Sequence, residues 1–418
     1  MAPTLEATPP LTPLESTTSQ LTEKSVSQVA QKLSPHASPP SPLDASRLQI
    51  TRTSAPRTPP AVGSAEEAAQ RTCTDHMITA TWTEAEGWHA PELKPYGPLS
   101  LMPTASCLHY ATECFEGMKL YRGFDGKLRI FRPELNAARM KMSATRIALP
   151  DFEPAELLKL IAKLCAVDGR KWLDPLSRKG DFLYIRPTMI ASDPALGVQR
   201  PKEALLYIIL CCFPSMDTIQ SGMRLLASRD DMVRAWPGGF GFAKVGANYG
   251  PTLLCQGEAR AKGYNQILWL FGEKENPLIT EAGASNFFVV WRNKEGRREV
   301  VTAPLGDKII LDGVTRRSVL ELARKRLPDV DVLERQIGIK EVWAAHSEGR
   351  LEEAFVCGTA FFVSSVSCIS WREEEMNIKV DGEGMGPLAG MIKNWLKGIM
   401  YGKERNEWGY IIEDEAIA

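Results

Sequence analysis

Large apolar side chains along this chain fall into two rhythms, alternating and helical, divided by runs of turn formers. "KLRIFRP" carries its apolar residues at strand spacing and ends at Pro133. "PAELLKLIAKLCAVDG" places Leu157, Leu158, Ile161, Leu164 and Cys165 on one helical face, ahead of a glycine that reads as the stop. "FLYIRPTMI" and "EALLYIILCCF" predict two sheet strands. Around "PSMDTIQSGM" the pattern dissolves, which predicts a boundary between two domains. Beyond it, "QILWLFGEKENPLIT" and "NFFVVWRNKEGRREVVTA" each read as two strands joined by a turn. "VTRRSVLELARKRL" reads as a helix, and "AGMIKNWLKGIMYG" as a final one with Leu388, Met391, Ile392, Trp395, Leu396 and Ile399 on one face. Strands paired through short turns, with helices beside them, indicate an α+β protein rather than a doubly wound sheet. The expected organisation is a tail over 1–70, a small α+β domain over 71–213, a linker over 214–224 and a larger domain over 225–418.

Composition separates the tail from the rest. Its Ser, Thr, Pro and Ala, with few large apolar groups to offset the cost of ordering, predict disorder. Glu6, Glu15, Glu23 and Asp44 depart from the acid-poor pattern of a mitochondrial transit peptide, which favours a cytoplasmic location over a mitochondrial one. The formal net charge of -1 gives no electrostatic basis for a nucleic-acid partner. No apolar run approaches the roughly 20 residues of a membrane helix. The 9 cysteines are scattered without a CxxC pair, a pattern of reduced thiols, and the five histidines form no ligand-spaced cluster, so no metal site is expected.

The chemistry concentrates in "GGFGFAKVGANYG", where Lys244 stands alone among glycines, small residues and rings. A Walker loop needs glycine immediately before its lysine, and Ala243 is there instead; a Rossmann fingerprint lacks its third glycine. A lysine amine, with an ordinary pKa of about 10.4, becomes a nucleophile when its ammonium form is disfavoured, and a covalent link to an aldehyde cofactor is a well-known use of it. Were that aldehyde pyridoxal phosphate, the site would also need a carboxylate for the ring nitrogen, a donor for the ring oxygen, and an arginine or backbone N–H cluster for the phosphate.

"HYATECFEGMKLYRG", "FRPELNAARM", "YIRPTMI", "AKVGANYG", "TEAGASNFF" and "LDGVTRRS" stand in an order that resembles the branched-chain amino-acid aminotransferases, pyridoxal-phosphate enzymes of class IV. The resemblance runs from Arg71 onward, and Glu281, Asn286, Thr302, Gly313 and Arg316 match the class IV signature. It implies the two-domain fold shared with D-amino-acid aminotransferases. By position, Lys244 resembles the lysine that bonds to the cofactor and shuttles a proton, Tyr249 the partner of the ring oxygen, and Glu281 the partner of the ring nitrogen. Arg139, the backbone of Val314 and Thr315, and the Thr359 hydroxyl resemble the phosphate cup. Tyr110, Phe115, Tyr184, Arg186, Ala284, Thr359 and Ala360 match positions around the substrate. "DPALGV" is similar to a loop lent to a neighbouring subunit, which implies a homodimer with Leu196 and Val198 as wall residues of the other site. The implied activity transfers the amino group of leucine, isoleucine or valine to 2-oxoglutarate by ping-pong kinetics.

Two departures bear on substrate range and regulation. Where relatives carry "GTMN" after the glutamate this chain has Gly283, Ala284, Ser285 and Asn286, which removes a threonine hydroxyl from the pocket wall. "GTA" is followed by "FFVSSV" without the paired cysteines of mammalian members, so no thiol switch is expected there. The alternatives are a class IV relative of altered substrate range serving a specialised pathway, and a noncatalytic binding protein that keeps the fold.

Overall fold

The computed structural model describes residues 40–174, 181–214, 221–360 and 362–413. A first sheet is built from β1 (Gln49–Ile50), β2 (Cys73–Thr83), β3 (Gly87–Trp88), β4 (Glu92–Pro95), β5 (Glu113–Phe115), β6 (Met118–Arg122), β7 (Leu128–Phe131), β8 (Phe182–Ala191) and β9 (Glu203–Cys212). A second holds β10 (Met223–Ala227), β11 (Gln266–Phe271), β12 (Leu278–Ala282), β13 (Ser285–Arg292), β14 (Arg298–Thr302), β15 (Val330–Glu334), β16 (Leu351–Gly358), β17 (Phe362–Trp371) and β18 (Glu374–Asn377). The last strand, β19 (Gly409–Ile412), returns to the first sheet and pairs antiparallel with β7. In the second sheet the order β12-β11-β10-β17-β16-β13 closes on itself through the β12–β13 hairpin, which makes a small barrel.

The longer helices are α1 (Pro133–Arg146), α2 (Pro154–Trp172), α3 (Thr252–Ala261), α4 (Val314–Arg326), α5 (Ile339–Ser347) and α6 (Pro387–Met400). α1 and α2 cover one face of the first sheet, where Met140, Leu157, Ile161 and Leu164 pack on Leu120, Ile130 and Ile185. Along β13 the alternation divides the burial: Phe287, Val289 and Trp291 join one core, and Phe288 and Val290 another. The latter core lies between the sheets, for it also contains Tyr121, Phe182 and Tyr184 of the first. The site lies along this seam.

Several expectations change. Residues 1–39 of the expected tail lie outside the described residues, but 41–70 are built into the first sheet's edge. Ser41 bridges Gly87, Leu43 is 2% exposed, the Ala45 N–H donates to Glu156 Oε2 (2.8 Å) and β1 pairs with β4. Part of the expected linker, 215–220, also lies outside the described residues, and its last two residues begin β10. From Ser41 onward the two sheets belong to one compact unit. Gly169 does not stop α2, which runs on to Trp172. The glycine serves packing, because a Cβ there would come within 2.6 Å of Leu128 Cδ1. On α6 the apolar face is Leu388, Ile392, Leu396 and Ile399, while Met391 is 44% exposed.

Candidate active site

The Lys244 backbone is pinned from both sides. Its N–H donates to Ser143 Oγ on α1 (2.8 Å), its carbonyl accepts from the Phe115 N–H (3.1 Å), and Val245 bridges Cys114. Asn248 Nδ2 donates to the carbonyls of Ala243 (2.8 Å) and Phe240 (3.0 Å), which fixes the turn that follows. With the backbone held, Nζ donates to Tyr249 Oη at 3.0 Å and lies 4.9 Å from the Phe115 ring centre. Two of the glycines around it serve packing. A Cβ on Gly241 would meet Ala235 Cβ at 2.3 Å, and one on Gly246 would meet Glu113 Oε1 at 2.0 Å, so they let the loop pack against the protein.

Glu281 sits at the end of β12, opposite Asn286 in the hairpin that closes the barrel. It is 2% exposed. Oε1 accepts from the Leu311 N–H (3.2 Å) and Asn286 Nδ2 (3.3 Å). Arg234 Nη2 lies 2.8 Å from Oε2, an ion pair off the axis of a hydrogen bond, and Oε2 has no hydrogen-bond partner. Burial pushes the Glu281 carboxyl above the usual carboxylate range, against the pull of the Arg234 guanidinium, the Leu311 N–H and the Lys244 amine. A buried carboxylate oxygen with no donor has a strong demand for one. The first turn of α4 makes the matching offer to an anion: Gly313 occupies the cap position without a capping side chain, leaving the N–H groups of Val314 and Thr315 facing the same space. Only glycine fits there, since a Cβ would lie 2.2 Å from Asn286 Oδ1.

Arg139 reaches this space from α1. Its Nε and Nη2 form a two-pronged pair with Glu116 (2.6 and 2.8 Å), and Nη1 donates to the Asp312 carbonyl (2.8 Å). Three of its five N–H donors are thereby used, and its planar head is held at a fixed angle. Glu116 is fully buried and also accepts from Asn136 Nδ2 (2.8 Å). Burial works to raise the Glu116 carboxyl, but the Arg139 guanidinium prevails and holds it below the usual range.

A cavity of about 250 Å3 is lined by Lys244, Tyr249, Glu281, Arg139, Val314, Thr315 and Thr359, and also by Phe115, Tyr184, Arg186, Ala284 and Ala360. Arg186 is stacked over the rings of Phe115 (4.7 Å) and Tyr184 (5.2 Å), and its buried Nε has no hydrogen-bond partner. Ala284 is exposed in the two-residue turn between β12 and β13, at the cavity's edge. Tyr110 is not part of this cavity. It is 40% exposed and donates to the carbonyl of Leu196, itself 55% exposed, with Val198 at 87%. Sequence reasoning missed Glu116, Arg234, Ser143 and Asn136, which orient the others. Glu116 stands inside the quoted "FEGMK", while Ser143 and Arg234 carry no local signal.

The donor set matches a phosphorylated pyridine aldehyde: an amine to bond it, an oxygen lacking a donor for a ring N–H, and backbone N–H groups with an arginine for the phosphate. Comparisons point the same way. The amino-transferase class IV family pattern matches residues 113–369. The cytosolic branched-chain-amino-acid aminotransferase of Saccharomyces cerevisiae is 47% identical over 379 residues, 89% of this chain and 98% of that protein. The mitochondrial one of Schizosaccharomyces pombe is 44% identical, covering 88% and 85%. Among solved structures, the branched-chain aminotransferase of Thermoproteus uzoniensis shares the fold with a TM-score of 0.62 at 24% identity, covering 80% of this chain and 99% of that one. A second solved branched-chain amino acid aminotransferase, complexed with N-(5'-phosphopyridoxyl)-L-glutamate, has a TM-score of 0.57 at 25% identity, covering 79% and 96%. On a family match over more than half its length and on relatives of this identity and coverage, the chain belongs to the class IV aminotransferases.

Proposed function

We propose that this chain transfers the amino group of a branched-chain L-amino acid to 2-oxoglutarate, with pyridoxal 5'-phosphate as cofactor. The observation that carries this is the Lys244 amine, 3.0 Å from Tyr249 Oη, in one cavity with a buried Glu281 oxygen that lacks a donor. Pyridoxal phosphate, when bound, supplies an electron sink for the charge left when the substrate α-carbon loses its proton. Lys244 Nζ would hold the cofactor covalently and, as the nearest amine, would move the proton of the substrate α-carbon. A positioned proton shuttle of this kind contributes roughly a hundred- to ten-thousand-fold in rate. Glu281 Oε2 would accept from the ring N–H, Tyr249 Oη would steady the ring oxygen, and Arg139, the N–H groups of Val314 and Thr315 and the Thr359 hydroxyl would hold the phosphate. Arg186, braced by two rings, receives the second carboxylate of glutamate, and Phe115, Tyr184, Ala284 and Ala360 bound the side chain. Donor and acceptor use the same cavity in turn, so the kinetics are ping-pong.

Lys244→Ala is the direct test: the purified variant loses turnover and the absorbance of lysine-bound cofactor together, and retention of both refutes the assignment. A panel of amino donors with 2-oxoglutarate tests the substrate class. With only a methyl group at Ala284 on the rim, donors larger than leucine are accommodated as well, and a panel in which leucine, isoleucine and valine are all poor overturns the branched-chain assignment.

The exposed apolar side chains of Tyr110, Leu196 and Val198 support a homodimer in which the loop carrying Leu196 and Val198 completes the neighbouring cavity. Sedimentation at a mass twice that of the chain is the expected result, with Leu196→Asp weakening association. The acidic residues near the N-terminus support a cytoplasmic location, to be checked by fractionation; the relatives named above include both cytosolic and mitochondrial proteins. Among the described residues no helix is long and apolar enough to cross a membrane.

A further inference from the structure

Cys73 opens β2 and Cys211 lies near the end of β9, and the two are direct partners in the antiparallel register. The Cys212 N–H donates to the Thr72 carbonyl at 2.8 Å, so 72 and 212 form the hydrogen-bonded pair and 73 and 211 the adjacent pair without hydrogen bonds. Such pairs bring their Cα atoms to about 4.5 Å, with side chains on the same face, which is within the reach of a disulfide. The Cys211 thiol donates to the carbonyls of Gln70 (3.5 Å) and Cys212 (3.6 Å). Both are nearly but not fully buried, at 4% and 7% exposure.

We propose that Cys73 and Cys211 form a reversible disulfide, a modification site joining the start of β2 to the end of β9. The oxidant is a hydroperoxide. The Cys73 thiolate attacks the peroxide's terminal oxygen; an S–O bond forms, the O–O bond breaks, and the departing alkoxide or hydroxide takes a proton. Cys211 then attacks Cys73 Sγ, the S–S bond forms, and the hydroxide expelled from the sulfur leaves as water with the Cys211 proton. Two thiols are oxidised by two electrons in all, and one hydroperoxide is reduced.

The local chemistry assigns the roles. Hydrogen bonding from Cys211 lowers the Cys73 thiol to about 7 against the opposing effect of burial, with the Tyr96 hydroxyl and the Arg57 charge assisting. Cys73 is therefore the more readily ionised of the two thiols, whereas the same contact and burial push Cys211 up. Cys73 is the attacking sulfur and Cys211 the resolving one. Placement links the bond to the substrate cavity: Cys211 pairs with Tyr184 across β8 and β9, and Phe213, two residues on, stacks on the Tyr184 ring at 4.7 Å and 22°.

The test treats the reduced full-length protein with hydrogen peroxide, followed by intact mass and non-reducing peptide mapping. The expected result is the loss of two hydrogens, a single Cys73–Cys211 linked peptide, reversal by dithiothreitol, and a higher Tm for the oxidised form. Cys73→Ser and Cys211→Ala each abolish the link, so failure of one variant to fold leaves the other as the control; Cys107→Ser retains it. Stable oxygen adducts without a link, a link to a different cysteine, or the same mass loss in either variant overturns the proposal.

Discussion

Removing the charge of Arg234 tests how the buried carboxylate is kept ionised. Arg234 Nη2 lies 2.8 Å from Glu281 Oε2, both side chains are 6% exposed or less, and the guanidinium is fixed by the carbonyls of Ile309 and Gly241, each at 3.2 Å. Breaking such a pair from one side leaves an uncompensated buried charge at a cost of about 3–5 kcal/mol. Two donors to Oε1, the Leu311 N–H and Asn286 Nδ2, survive in Arg234→Met, which places the loss at the low end, about 3 kcal/mol. Because that cost falls on the ionised carboxylate alone, the ionised fraction, and kcat/KM with it, falls by up to roughly a hundredfold at neutral pH, at about 1.4 kcal/mol per decade. The sign of the pH effect follows from the shift. Glu281 already stands above its ordinary range, and without Arg234 it rises further, so the ionised form needed opposite the ring nitrogen is lost at a higher pH as acidity increases. The acid limb of the kcat/KM profile therefore moves upward in Arg234→Met and less in Arg234→Lys, which keeps the charge but not the fork. Initial rates across neutral pH, with circular dichroism to confirm folding, make the measurement. A folded Arg234→Met enzyme with an unmoved acid limb and kcat/KM within about threefold of wild type, under 1 kcal/mol, refutes the reasoning.

Three further outcomes are expected. Glu116→Gln replaces a charged, two-pronged partner of Arg139 with a neutral one; a charge-assisted hydrogen bond contributes about 1.5–3 kcal/mol, so the dissociation constant for pyridoxal phosphate, followed by fluorescence, rises about tenfold to a hundredfold. Gly241→Ala drives a Cβ to 2.3 Å from Ala235 Cβ and 3.1 Å from the Ile309 carbonyl, and overpacking against backbone costs about 1–3 kcal/mol, seen as a lower Tm. Gly257→Ala, in mid-α3 with nothing within 4 Å of the new carbon, gives the opposite sign, a gain of about 0.5–1 kcal/mol.

What could be read from the chain was what is local to it. Strands such as Phe182–Ala191 and Ser285–Arg292 announce themselves because neighbouring positions alternate between two cores, and the residues that line the cavity sit in short quotable motifs. The residues that orient them do not. Ser143 holds the Lys244 backbone from 101 positions away, and Arg139 meets the Asp312 carbonyl across 173, partnerships that exist only after the sheets have packed. The same reason explains the misplaced edge of order. Residues 41–70 look like tail by composition, but their structure comes from distant partners: the Thr53 N–H donates to His76 Nε2 (2.9 Å) and the Arg57 N–H to Asp75 Oδ1 (2.7 Å). Gly169 misled because a glycine at a helix's packing face and a glycine at its end look alike without Leu128 beside it.

β19 gives the molecule a constraint on its order of assembly. It pairs with β7, although every strand of the barrel intervenes between them in the chain. As the polypeptide leaves the ribosome, the first sheet must therefore wait with the β7 edge unpaired until the barrel has been synthesised, and an open edge invites pairing with other chains. A nascent chain halted before Gly409 is predicted to be a chaperone client, whereas a few residues more convert it into a protein with that edge latched.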